Sequence, residues 1–258
     1  MRIATLISCA LLASNVSAHA QGYDWSGAYV GASVGGAWAD TGVSTELTNF
    51  WDFPSDQVDR DALLPLLNGR LNGENVFGGV ALGYNLQQSD LVYGVEADVS
   101  FLNVDDSRTA FNVPGIPAPQ PYRIDTAAQV DWLTTFRGRI GWAFDRSLIY
   151  VTGGLAVGRH EFSQHISQLV LPAGFGTFDQ QAAFQKTSWG WALGGGFEQA
   201  LSERWSLKLQ YLHVDLGSHR VQSFGKCASL PGVCEVYSGS HKVDVKLDTV
   251  SASINYRF

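Results

Sequence analysis

Eight stretches of this chain alternate large apolar residues with small or polar ones. The last, Val250-Ser-Ala-Ser-Ile-Asn-Tyr-Arg-Phe258, alternates to the final residue. A period of two is the mark of a β-strand with unlike faces. What constrains the fold is how the faces differ. In SWGWALGGGFEQAL, Trp189, Trp191, Leu193, Phe197 and Leu201 oppose Ser188, Gly190, Ala192, Gly194, Gly196 and Glu198. Turned inward, those rings and leucines overfill an eight-stranded barrel, whose interior is only just wide enough for side chains. The Gly/Ala/Ser face left outside would be a poor solvent surface. Turned outward, the bulky residues meet lipid, and a closed sheet pairs every backbone polar group within the hydrocarbon. A soluble barrel with its faces reversed, of the lipocalin type, is the competing arrangement.

The other segments carry the same two faces. Trp132, Phe136, Trp142, Trp205, Leu207, Leu209, Val250 and Ile254 join Trp189, Trp191 and Phe197 on the face assigned to lipid. Aromatic residues near the segment ends (Trp25, Tyr84, Tyr93, Trp142, Phe144, Trp205, Tyr256 and Phe258) suit interfacial girdles. Three connections are short, QQSD, DRS and SER, and they alternate strictly with wide ones of roughly 20–35 residues. Membrane barrels sort their connections in this way. The expected fold is therefore all-β: an eight-stranded antiparallel up-and-down transmembrane β-barrel with short periplasmic turns and four long extracellular loops. Upstream of Asp248 the last segment inverts its phase, with Val243, Val245 and Leu247 apolar and Asp244, Lys246 and Asp248 polar. With Phe258 at the periplasmic interface, about ten residues of tilted strand cover the ~25 Å apolar band, and the inversion marks the outer membrane surface.

The first residues belong to a different process. Arg2, the apolar stretch Ile3 to Ala13 and the small-x-small Ala18-His19-Ala20 read as a secretory signal peptide over residues 1–20. Residues 21–258 are then a single barrel domain. Removing Arg2 from 17 basic and 24 acidic residues takes the formal charge from −7 to −8, which argues against nucleic acid as a partner. Leu63 to Leu67 is the best candidate for an apolar helix, and Pro65 interrupts it, so no transmembrane helix is expected. After the leader, Cys227 and Cys234 remain and suggest one disulfide across a surface loop in an exported chain. A metal site with His219 or His241 is the alternative, although the spacing follows no standard zinc pattern.

The inward faces carry charge. Equal depth from the short turns matches Glu96 with Arg139, Asp98 with Arg137, and Glu198 with Lys208. Opposed charges on one face of neighbouring strands predict lumenal ion pairs that plug and rigidify the barrel. A proton or ion path is the alternative, though pores need wider barrels. Of the connections, residues 41–75 hold Asp52, Asp56, Asp59 and Asp61, with a short amphipathic helical turn over Gln57 to Leu67. The acids read as a solvated surface, with a calcium loop as the sharper alternative. NVPGIPAPQPY, with four prolines in eight residues, is a stiff segment suited to recognition. Haem could find ligands among His160, His165, His213, His219 and His241, placed toward the wide connections. His165-Ile166-Ser167 has the His-x-Ser order of lipid A deacylases of this architecture, but it is expected in a loop and the sequence identifies no orienting acid for it. No enzyme and no cofactor is expected.

WSGAYVGASVGGAW after the cleavage site, GYN at Gly83 to Asn85 and the terminal NYRF resemble the small outer-membrane β-barrel proteins of proteobacteria. These are the opacity-like or "porin family" surface proteins of the alphaproteobacterial type. The resemblance implies an eight-stranded barrel in the outer membrane of a Gram-negative cell, exported through the periplasm. It also implies that Tyr256 and Phe258 form the signal read by the barrel assembly machinery. The implied partners are periplasmic chaperones, outer-membrane lipid and lipopolysaccharide, and a host or matrix ligand met through the loops. Function within this resemblance is mixed, with structural and adhesive roles and haem binding in some members.

Overall fold

The computed structural model describes residues 23–54, 56–111, 122–168, 178–227 and 237–258. The expected signal peptide, residues 112–121 of the proline-rich segment, and Cys234 with its expected disulfide or alternative metal role lie outside the described residues, as does the Cys227 side chain. Eight antiparallel strands close into a ring in chain order, and β8 returns to pair with β1. They are β1 (Gly27–Asn49), β2 (Gly69–Gln88), β3 (Leu91–Phe111), β4 (Tyr122–Phe144), β5 (Ser147–Gln168), β6 (Phe178–Ala200), β7 (Trp205–Cys227) and β8 (Tyr237–Arg257). A 3-10 turn (Phe50–Asp52) and the helix α1 (Gln57–Leu67) fill the connection from β1 to β2. The short turns are tight. Ser89 and Asp90 alone join β2 to β3, and Asp145 and Arg146 join β4 to β5.

The strands run 20 to 23 residues, about 70 Å of extended chain and roughly twice what the apolar band of a membrane requires. The wide connections expected on one side are thus built largely of strand, and the segment 41–75 contains the end of β1 and the start of β2 as well as α1. The barrel has two halves of opposite chemistry. Around the lower half the outward residues are Val30, Val34, Val80, Leu82, Phe101, Phe136, Leu155, Leu193 and Val250, all exposed. Above them the outward positions are polar, as with Glu46, Glu74, Asp105, Glu161 and Lys246, and the interior is apolar instead. Leu102, Val104, Leu133, Phe162, Val214, Leu216, Val243, Val245 and Leu247 pack there as one buried cluster.

The phase inversion at Asp248 involves no break in the strand. On β8, Val243, Val245, Leu247, Thr249, Ser251, Ser253 and Asn255 are buried in unbroken alternation. What inverts is the solvent: lipid below, water above. Hydrocarbon takes the apolar face outward, whereas water drives it inward. On β4 the inversion coincides with an irregularity, because Val130 pairs with His160 and Trp132 with Arg159, leaving Asp131 over. One extra residue shifts which face each side chain occupies.

A packed cluster sits at each end. At the top, Leu63 and Leu67 of α1 are fully buried against Leu47, Trp51, Tyr122, Ile124, Ile166 and Phe178. The carbonyls ending α1 find donors, with Arg108 giving a hydrogen bond to Leu66 O at 2.7 Å and Gln164 to Leu67 O at 2.9 Å. Cationic and amide donors suit the negative end of a helix. Under α1 runs a buried polar ring. His241 bridges Ser223 and Thr45 at 2.7 and 3.1 Å, Thr45 reaches Gln164, and Gln180 joins Ser223 to Trp51. At the bottom Tyr23, Trp25, Val92, Ala143, Leu148, Tyr150 and Ala200 cluster beneath the mouth. Trp25, expected in the interfacial girdle, is 2% exposed. It precedes β1 and folds under the barrel, so it has no outward face to present.

Candidate functional site

The lower lumen is organised around Glu96 on β3. Its carboxylate accepts from Tyr29 Oη at 2.6 Å, Lys208 Nζ at 2.6 Å and Arg137 Nη2 at 2.7 Å. Arg137 Nη2 also reaches Asp98 at 2.7 Å, and its Nε donates to Thr135 Oγ1, which in turn donates to Asp98. Arg139 lies between the rings of Tyr29 and Tyr150, 4.9 and 5.2 Å from their centroids, and donates to Asn85 and Glu198. Ser206 and Asn255 complete the Glu198 carboxylate. Three carboxylates thus meet three cations, and five of the six side chains are at most 5% exposed, Asp98 being the exception. Buried charges persist only when paired and hydrogen-bonded in this way.

Small residues make the network possible. Tyr29 is directly opposite Gly83, and a Cβ there would overlap the Tyr29 ring. Gly94 likewise leaves room for Asn85 and the stem of Arg139. Above the charges remains a cavity of about 30 Å³ lined by Ser33, Ser100, Gln210, Ser251 and Ser253 among others. That volume suits one or two water molecules.

The structure brings all six charged residues named from the sequence into one cluster, keeps Asp98 with Arg137 at 2.7 Å, and changes the main partners of the others. Glu96 pairs in register with Arg137, not Arg139, because Leu91 lies opposite Trp142 and not Phe144. Equal depth misplaces the match by two residues, since closing a barrel staggers neighbouring strands. Arg139 lies 4.0 Å from Glu96 and 3.2 Å from Glu198. Glu198 and Lys208 are opposite in register, yet the Lys208 ammonium crosses the lumen to Glu96. Its long stem spans a distance that cross-strand spacing ignores. Asn85, Thr135, Tyr150 and Asn255 fall on the inward faces that the alternation predicts, but they and Tyr29 were assigned no part in the charge network. Tyr29 was legible as a lone aromatic on a face otherwise made of Gly and Ser.

The lipid-side residues point outward: Phe136, Trp142, Trp189, Trp191, Phe197, Trp205, Leu207, Leu209, Val250 and Ile254 are exposed, and Trp132 is half-buried. Tyr256 packs edge-on against Trp205 and Phe258, and Phe258 is exposed. Of the acidic residues on the first connection, Asp52 and Asp61 pair with Arg60, and Asp59 accepts from Tyr122. His165 lies on β5 and not in a loop, hydrogen-bonded to Asp179. Among the described residues no hydrogen bond joins it to Ser167. His213 pairs with Asp248 at 2.8 Å, and His241 belongs to the polar ring. His160 and His219 are the two imidazoles that meet, stacked with centroids 5.3 Å apart. Burial holds His160 and His241 well below the usual histidine value, each down to about 4.

The family model described as outer membrane protein beta-barrel domain matches residues 6–258. The chain is 28% identical over 242 residues to the 31 kDa outer-membrane immunogenic protein of Brucella melitensis, covering 92% of this chain and 85% of that protein. It is 29% identical over 143 residues to a 22 kDa outer membrane protein of Rhizobium leguminosarum bv. viciae, 55% of this chain and 54% of that one. Among solved structures, Ail, the attachment invasion locus protein of Yersinia pestis, aligns with a TM-score of 0.36 at 13% identity, covering 91% of this chain and 100% of that one.

Proposed function

Because this chain belongs to the outer membrane protein β-barrel domain family and so resides in the outer membrane, we propose that it is a closed, non-catalytic barrel whose lumen is a plug. In this reading the upper half, which stands clear of the membrane, presents a surface for contact outside the cell. The observation that carries it is the neutral network of Glu96, Asp98, Glu198, Arg137, Arg139 and Lys208 filling the lower lumen. The apolar core and α1 above it would block passage even if that network opened. Lipid and lipopolysaccharide surround the lower half. The barrel assembly machinery, handed the chain by periplasmic chaperones, would read Tyr256 and Phe258, whose rings sit together at the lower rim. A host or matrix ligand would meet the connections above.

Planar-bilayer recordings test the plug. Arg137→Ala is expected to leave single-channel conductance at the background of wild type while lowering resistance to denaturant. A large new current in that variant would overturn the plug.

A further inference from the structure

The wall of the upper barrel is not continuous. β6 and β7 pair at Gln180 with Gly225 and again at Trp191 with Asp215, and no strand pairing joins residues 181–190 to 216–224 between them. Both edges carry backbone groups without ladder partners, which demand some other partner. Exposure shows that the slit is open. Lys186 has the parity of the inward residues Ala182, Phe184 and Ser188, yet it is exposed, as are Gln185 and Thr187 beside it. From Phe178 to Ala183 and from Ser188 to Leu193, on either side, exposure alternates as a closed wall requires.

Behind the slit lie groups of one electrostatic kind. His219 is 2.6 Å from Ser188 Oγ through Nε2 and 3.4 Å from Lys186 Nζ through Nδ1. An ammonium can only donate, so Nδ1 accepts and the proton sits on Nε2, which donates to Ser188. The Ser188 hydroxyl proton is then free for another acceptor. His160, stacked on His219 and edge-on to Phe184, is 1% exposed, and neither of its ring nitrogens has a partner. Burial first, then His219 and Lys186, disfavour the protonated form of His160. Lys186 also acts on His219. A buried imidazole with two idle nitrogens, a lysine, a hydroxyl and unpaired backbone edges lack one thing, an anion.

We propose that the slit between β6 and β7 is a phosphate-binding site, with Lys186, Ser188 and His160 as its donors and His219 orienting the Ser188 hydroxyl. Trp189 and Trp191 point outward just below and mark the outer rim of the lipid belt. The slit therefore opens at the depth of membrane phosphate groups, and exposed Arg220 adds a cation on its outer rim. Binding strengthens on acidification, because an anion beside the His160 ring favours its protonated form.

Titrating inorganic phosphate into the refolded protein in an uncharged, phosphorus-free detergent, with imidazole NMR signals as readout, tests the site. The same signals in nanodiscs of phosphatidic acid against nanodiscs of an uncharged glycolipid separate the sources. The His160 and His219 signals are expected to shift saturably, with binding at least tenfold weaker in Lys186→Gln and in His160→Phe and tighter at pH 5.5 than at pH 7.5. Saturation by inorganic phosphate identifies a free anion as a ligand, and a response confined to phosphatidic acid identifies a headgroup; each supports the site. Signals that stay still in both arms, or move equally in both variants, overturn it. Lys186 is exposed, so Lys186→Gln keeps the test decisive if His160→Phe does not fold.

Discussion

At Glu96 three donors converge on one carboxylate; if its charge is removed Lys208 loses its carboxylate partner, while Arg137 keeps Asp98. Breaking a buried ion pair from one side costs about 3–5 kcal/mol, because the remaining charges stay buried. Glu96→Gln is therefore expected to lower stability by that order in denaturant titrations of the refolded barrel. Glu96→Gln combined with Lys208→Met should recover part of the loss, and a fully additive double mutant would show that the two side chains do not interact. Gly83→Val would drive a side chain into the Tyr29 ring and displace its hydroxyl from Glu96. The charges themselves were legible, since Glu96, Arg137 and Lys208 interrupt faces otherwise made of small residues. Their pairing was legible only in part: Asp98 meets Arg137 as expected, whereas the partners of Glu96 and Lys208 depend on the stagger of the strands and on reach across the lumen.

Among the elements, α1 is the lid that the proposed plug requires. Its buried leucines meet six residues drawn from the tops of β1, β4, β5 and β6 and from the 3-10 turn. Leu63→Ala is expected to cost about 2–5 kcal/mol locally, the usual range for an emptied apolar site. The readout is proteolytic nicking between residues 56 and 68 with the heat-modifiable gel shift of the barrel retained. Loss of the gel shift as well would show that the lid and the barrel fold as one unit. The helix was visible in the sequence as an amphipathic run, and Gln57 to Leu67 is where it forms. The upper strands were not. Their alternation has the ordinary sense of a soluble sheet, so beside the strong lipid-facing segments it reads as connection.

Over the whole molecule, the two halves are stabilised by different solvents and should respond differently to acid. His160 and His241 are held near 4 by burial, against about 6.5 when unfolded. Their neutral forms support the fold fully above pH 6.5. That support is lost as pH falls from 6.5 toward 4, where the unfolded chain binds more protons. Hydrogen exchange at pH 4.5, corrected for intrinsic rates, should show weakened protection above residue 43 of β1 and below residue 247 of β8. The lipid-facing segments should stay protected. Uniform loss of protection through both halves would refute their independence.

The sequence by itself determined the number of strands, the side each face takes, the height of the membrane belt and the inventory of lumenal charge. All of these follow from periodicity and side-chain chemistry, which are local. Only the tertiary structure decided that the strands continue above the membrane with their chemistry inverted, that Lys208 crosses to Glu96, and that β6 and β7 part beside His160. Each of these depends on how the ring closes. The stagger between neighbours and the width of the enclosed space are properties of all eight strands together, and no one segment carries them.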